Sequence, residues 1–412
     1  VPEHVLVVGG GLELPGMLRA HRPGVRTSVI CQLSLLATLR EVNAHQQVLS
    51  LRPDAPDAAW VDLARTAHAA DPFTRLATFG ERDQGRAAAI GAALGLACHT
   101  PRTVRAVHDK RVMRQVLADA GVEHVATVTV DSAALLDKWV REHPGQWIVK
   151  PLDGSGSAGV SVVADAAEAQ AAYQRCVDSA HTGRSGAAEV LVEEYLSGPQ
   201  VSVETLSEAG EHCVVAVTRK FSDPVTLVEL GHVVPAGLPA EVTDAVGRHT
   251  LRVLDALGVR HGVGHTELVL TADGPRVIET HLRLAGDEIP YLVRDATGVD
   301  LVRCVVRQTL GERVISEVRR TLAADARQVQ AIWFGVAPCA GTLVRVEGAD
   351  ASVVRQVPDG TPVTGLRDSG SRILFARAAG PDPDTALARA REAVSRCDVV
   401  VAASPLAGTM CI

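Results

Sequence analysis

The sequence predicts a multidomain chain, α/β at its N-terminal end and α+β beyond it, and three observations carry that expectation. At 412 residues the chain is long enough for two or three domains. Residues 4–97 alternate short apolar runs with helical stretches, the pattern of a parallel α/β sheet. From about residue 125 onward, strands are joined through turns, as in the stretch 266–280 and again near the C-terminal end.

Composition narrows the function classes. Apolar residues make up 47%, enough for sizeable cores. The net charge is −7 with no basic block and aromatics are only 3%, so neither a duplex nor a single strand of nucleic acid is an expected partner. Eight cysteines lie scattered without a CxxC pair, which suits reduced thiols in a cytoplasmic enzyme better than a disulfide frame or a zinc site. No apolar run is long enough for a membrane span, and the opening VPEHVLVVGG is expected to be a first strand, not a leader. Of 41 basic residues only four are lysines, Lys110, Lys138, Lys150 and Lys220. In so Arg-rich a chain, a retained lysine marks a place where a compact ammonium is wanted, such as a phosphate contact, although Lys138 reads equally well as surface.

Taken in order, residues 1–100 form an expected Rossmann-like parallel α/β domain. Strands are predicted at 4–11, 26–31, 47–50 and 76–80, the last ending at Glu81, with helices at 58–70 and 84–97 between and after them. The Gly9-Gly10-Gly11 turn invites a dinucleotide reading, but Leu14 stands where GxGxxG needs its last glycine and no acid closes the second strand. A second unit is expected over 101–325, with a lid part at about 125–197. It opens with helices from Pro101 and from Lys110 to Ala120, then strand 125–130, helix 132–143 and WIVKP at 147–151. LDGSGSAGVSVV at 152–163 is rich in Gly and Ser, whose backbone and hydroxyls can grip phosphate, and reads as a hairpin-tip lid. Strand 190–194 runs into the tight turn Ser197-Gly198-Pro199, leaving backbone groups free to meet a base edge.

The most telling stretch is HTELVLTADGPRVIETHLRLAGDEI, 265–289. It reads as a hairpin turning at Asp273-Gly274-Pro275, which places Glu267 and Glu279 opposite each other. Two facing carboxylates repel unless a cation lies between them, and a hard ion such as Mg²⁺ answers that need. Arg283 follows, on a loop containing Gly286.

In this order, DKRVMRQVLADAGV, WIVKP with GSGSAGV, VEEYLSGPQVSVE, ELGHVVPA, GHTELVL and VIETHLRLAGDEIPYLVRDATGVDL resemble the ATP-grasp superfamily, and within it the dipeptide-forming amino-acid ligases, over residues ~100–310. The resemblance implies an ATP-grasp domain of two α+β subdomains preceded by the α/β domain, and an ATP-dependent carboxylate–amine ligase working through an acyl-phosphate. Its cofactors would be ATP and one or two Mg²⁺ ions, with Mn²⁺ as the alternative, its substrates two amino acids, and its assembly a homodimer. It implies that Lys110, Lys150 and Lys220 contact phosphates, that Ser157 sits in the lid, and that Glu193, Glu194 and Leu196 form the adenine hinge. Gln200 stands where relatives carry a ribose-binding Glu. Glu267 and Glu279 would hold the metal, and His281 stands where relatives often add an Asn. Arg283 and His232 would act at the reacting carbonyl, with Glu229, Gly286, Asp287 and Glu81 on the substrate side. Asp287 suggests a pocket for a polar or cationic group. The alternatives are another ATP-grasp chemistry, such as a carboxylase or purine-pathway ligase, and, from a different class, a nicotinamide oxidoreductase.

The last stretch, 326–412, is expected to form a small C-terminal α+β domain. Strands at 328–336, 341–347 and 373–379 are followed by a helix capped by Asp382 or Asp384, with no catalytic constellation evident.

Overall fold

The computed structural model describes residues 3–152, 156–180, 189–324 and 328–403, so part of the Gly/Ser lid loop and the loop at 182–188 lie outside the described residues. Near the N-terminus, strands His4–Val8, Arg26–Gln32, Val48–Leu51 and Arg75–Ala77 form a parallel sheet in the order third, second, first, fourth. The last of these is shorter than expected, because Glu81 already belongs to a 3-10 turn that leads into helix Gln84–Leu94. Leu6, Val8 and Ile30 from the sheet bury Trp60 of helix Asp57–Ala70, and Arg86 lies over the indole, 4.1 Å from its centroid.

A second, antiparallel sheet of four strands is built from Thr127–Val130, Val190–Glu194, Trp147–Pro151 and Ser161–Val163, in that spatial order. Helices Ala133–Glu142 and Ala169–Ala180 cover it, burying Leu136, Val140 and Ala172 against Val149, Val163 and Val192.

The largest sheet has eight strands. Gly274–His281, Gly262–Thr271, Gln200–Glu208, Glu211–Ser222 and Glu229–Val234 come first, followed by Val329–Val336, Arg372–Gly380 and Val353–Arg355. The C-terminal stretch expected to stand as its own unit thus continues this sheet, pairing Val329–Val336 with Glu229–Val234. Helix Ala240–Leu257 buries Val246, Val253 and Leu254 on one face, and helix Ile289–Thr297 buries Leu292 and Val293 on the other side of the loop that carries Asp287. A strand the sequence did not suggest, Asp398–Ala403, pairs with Gly341–Glu347. Asp382 caps helix Pro383–Ser395. Among the described residues no helix is long and apolar enough to cross a membrane.

Candidate active site

The hairpin of Gly262–Thr271 and Gly274–His281 turns through Ala272–Asp273, one residue earlier than the sequence suggests. Pairing from that turn runs Thr271 with Gly274 to Leu268 with Val277. Ile278 is then left over as a bulge, and the shift brings Glu267 directly opposite Glu279. A one-residue slip otherwise sends a side chain to the other face, so the bulge is what makes the two carboxylates meet.

Cations surround the pair. Asp109 caps helix Lys110–Asp119 by accepting from the amides of Arg111 and Val112, which fixes Lys110 at the helix start. Its ammonium lies 3.0 Å from Glu279 Oε2. Lys220, on strand Glu211–Ser222, lies 2.7 Å from Glu267 Oε1 and also contacts Glu229. Burial would raise both carboxyl groups, but Lys110 and His281 hold Glu279 well below the usual range, as Lys220 and His265 do Glu267. Burial alone would likewise lower Lys220, yet Glu229 and Glu267 hold it above its ordinary value.

Two histidines brace the carboxylates. His265 sits between Glu204 and Glu267, 2.9 Å from the first through Nδ1 and 3.2 Å from the second through Nε2. Against burial, these carboxylates push it up to about 10. His281 lies 3.2 Å from Glu279 and 2.8 Å from Glu81, and is likewise raised. Glu81 also accepts from Arg283 Nε at 2.7 Å, and is held down at about 2 against the effect of burial. Glu267, Glu279 and His281 offer ligand atoms within 4.8 Å of one another. The two carboxylates suit a hard ion such as Mg²⁺, whereas His281, with each ring nitrogen facing a carboxylate, is arranged to brace Glu279 instead.

A residue the sequence reading passed over joins this centre to its neighbours. Arg114 is buried on the helix that Lys110 begins, on the same face as Met113 and Leu117. It donates to the carbonyls of Val277 at 2.7 Å and Ile278 at 3.3 Å, the bulge itself, and pairs with Glu123 at 3.1 Å and Glu193 at 2.8 Å. Glu123 in turn accepts from the Val277 amide and pairs with His249. A charge on the apolar face of an amphipathic helix was the available signal.

Glu193, expected in the adenine hinge, is buried with its carboxylate held between Arg114 and Lys150. Burial would raise it, but these cations hold it near about 2. Its side chain therefore fixes Lys150, while the exposed Glu194 and the half-buried Leu196 leave the backbone after this strand near the surface. The turn closes at Gly198, whose φ is +150°, and a Cβ there would come within 2.1 Å of the Leu270 carbonyl. Gln200 begins the next strand, opposite Val269. Ser157 donates to the Leu227 carbonyl at 3.1 Å. Lys138 lies exposed, 3.8 Å from Glu142 and away from the centre.

On the remaining side, His232 stands opposite Lys220 across two strands. Its Nε2 is 3.0 Å from Asp287 and 3.6 Å from Glu229. Asp287 does not offer the open carboxylate expected for a cationic group. Arg372 grips it with two bonds of 2.7 and 2.6 Å, and these bonds together with His232 hold it far below the usual range despite burial. The sequence had shown no site residue in the C-terminal stretch. Gly286 sits in the same loop, its carbonyl accepting from the Ile289 amide.

Residues 144–290 match the family model of the ATP-grasp domain, and the chain carries that domain. The whole fold is that of an L-amino acid ligase from Bacillus licheniformis, with a TM-score of 0.79 over 97% of this chain and 99% of the other, at 21% identity. Among curated sequences, the chain is 31% identical to the uncharacterized protein y4rH of Sinorhizobium fredii, over 71% of this chain and 62% of that protein. It is 25% identical to dapdiamide A synthase of Enterobacter agglomerans, over 57% of this chain and 56% of that one. The matched stretch thus spans little more than half the length of either relative.

Two outcomes test these contacts. Arg114→Met leaves Glu123 and Glu193 buried without their shared cation, and should cost about 3–5 kcal/mol in urea unfolding; an unchanged midpoint would show that the pairs are not formed. The raised His265 value contributes stability fully at pH below the ordinary imidazole range, and this is lost as pH climbs toward about 10. The melting temperature of the unsubstituted protein should therefore fall more between pH 7 and about 10 than that of His265→Gln; parallel curves would contradict the assignment.

Proposed function

We propose that the chain is an ATP-dependent ligase that joins the carboxylate of one amino acid to the amine of another, releasing ADP and phosphate. The observation that carries this reading is the bulge-set pair Glu267 and Glu279, with Lys110 and Lys220 on the two carboxylates and Lys150 held nearby on Glu193, in a chain that has only one other lysine. The likeness to an L-amino acid ligase fold and to dapdiamide A synthase supports the choice of amino-acid substrates.

Lys110, Lys150 and the loop at Ser157 hold the triphosphate, and the hinge backbone at Glu194 and Leu196 meets the base. Glu267 and Glu279 would hold Mg²⁺, which when bound would offset the negative charge of the triphosphate. A substrate carboxylate oxygen then attacks the γ-phosphorus, the bond to ADP breaks, and an acyl-phosphate forms. Arg283, turned by Glu81, is the fixed cation for that acyl-phosphate. The amine of the second amino acid attacks the acyl carbon, phosphate leaves, and the amine loses a proton. Glu229, His232 and Asp287 line the amino-acid side.

Phosphate release from ATP and Mg²⁺, measured across amino acids singly and in pairs with mass detection of products, tests the reading. Release should need a pair and give a product lighter than their sum by one water. Glu279→Gln should lower that release about a hundredfold or more while leaving the circular dichroism spectrum unchanged. No release with any pair, or full turnover in Glu279→Gln, would contradict the proposal.

A further inference from the structure

Asp287 and Glu288 both adopt left-handed backbone, with φ of +56° and +62°. Two consecutive residues with a Cβ in that region persist only where surrounding contacts over-determine them. The contact that does so comes from far along the chain. Arg372, buried at the first position of strand Arg372–Gly380, spends both terminal nitrogens on the two Asp287 oxygens. It adds a longer bond to the Glu229 carbonyl at 3.4 Å and lies 4.1 Å above the Phe334 ring. Its Nε donates to the carbonyl of Ser369 at 2.9 Å, so the same guanidinium also braces the 3-10 turn Ser369–Ser371. That turn reaches the phosphate-side loop, because the Ser369 amide donates to the Gly156 carbonyl at 3.1 Å. Gly156 directly precedes Ser157, whose hydroxyl bonds to Leu227. One arginine therefore stands between the substrate loop and the loop that faces the triphosphate.

The consequence falls on His232. Its Nε2 has Asp287 as its hydrogen-bond partner at 3.0 Å, while its Nδ1 is buried with no partner among the described residues. With Nδ1 unpartnered, the bond to Asp287 sets how the ring is turned, so the placement of Asp287 decides where Nε2 points. Arg372 fixes Asp287 through two parallel bonds. A lysine could supply the charge but neither that fork nor the third bond to Ser369.

We propose that Arg372 is a positioning residue for the amino-acid side of the site: it holds Asp287, and through it His232, and ties them to the loop that carries Gly156 and Ser157. This rests on the reading of Glu229, His232 and Asp287 as the amino-acid side. The role belongs to the C-terminal stretch, which completes the site with a side chain as well as with strands. It makes Arg372 a determinant of how the amino acid is held.

The test uses the 412-residue chain with Arg372→Lys, Arg372→Met and Asp287→Asn. In steady-state turnover of the amino-acid pair, Arg372→Lys should raise the amino-acid KM about tenfold, as expected for loss of a charge-assisted bond pair, and leave the ATP KM within about twofold. Arg372→Met combined with Asp287→Asn should lose no more than either change alone, the mark of two groups that act as one. A rise confined to the ATP KM, or additive losses, overturns the proposal. Amide hydrogen exchange reads the tie independently of turnover. In Arg372→Lys, which keeps the charge and so the better chance of folding, exchange should quicken together at residues 284–288 and 156–160 and stay unchanged at 262–281. Unchanged exchange at either loop overturns the tie whatever the kinetics show. If the unsubstituted chain joins no amino-acid pair, the ligase reading falls by itself, and the exchange result still decides whether Arg372 couples the two loops.

Discussion

Two carboxylates placed face to face inside a protein are a constraint that the rest of the site must satisfy. Glu267 and Glu279 meet because Ile278 bulges out of the ladder, and the bulge is held from outside the hairpin. Arg114 takes the carbonyls of Val277 and Ile278, and Glu123 takes the Val277 amide. These bonds satisfy the backbone groups that a bulge leaves without ladder partners. The repulsion is then met by distributed positive charge: Lys110 on Glu279, Lys220 on Glu267, and one histidine beside each. Burial makes each of these pairs worth more than it would be on a surface, and makes the loss of any partner costly.

The same network ties separate parts of the chain together. Arg114 reaches the four-stranded sheet through Glu193, and Glu193 holds Lys150. The 3-10 turn that follows the last strand of the N-terminal sheet contributes Glu81, which orients Arg283 and His281. The C-terminal strands extend the large sheet and deliver Arg372 to Asp287. No one of the sheets holds the site alone, which accounts for side chains from Glu81 to Arg372 converging on a single hairpin and its loop.

Much of this was legible in the sequence. The alternation of strands and helices near the N-terminus and the facing of Glu267 and Glu279 follow from local pattern, whereas three of the four lysines were set apart only by the family resemblance. The facing of the two carboxylates was read only approximately, with the turn one residue out of place and the bulge at Ile278 unforeseen. What stayed hidden depends on distant contacts. Arg114 looks like one more helical arginine until its burial is known, and nothing local to Glu193 shows that Lys150 and Arg114 pair with it. Arg372 opens an ordinary strand, and Asp287 looked like an open acid because its partner lies 85 residues away. Strand pattern does not record such pairings, since they are set by how the sheets are joined.

The central claim is that Glu267 and Glu279, neutralised by Lys110 and Lys220, form a centre where a divalent ion and a triphosphate bind as a unit. On that proposal the ion would compete with the ammonium groups for the carboxylates, and the phosphates would take up the ammonium groups so released. Calorimetric titration of ATP in the presence of Mg²⁺, and again with chelator, measures this most directly. The account predicts that Mg²⁺ tightens ATP binding about tenfold or more, within the usual range of coupling between two ligands, and that Glu279→Gln removes most of that gain. Equal ATP affinity with and without the ion, or a gain that survives in Glu279→Gln, would contradict it.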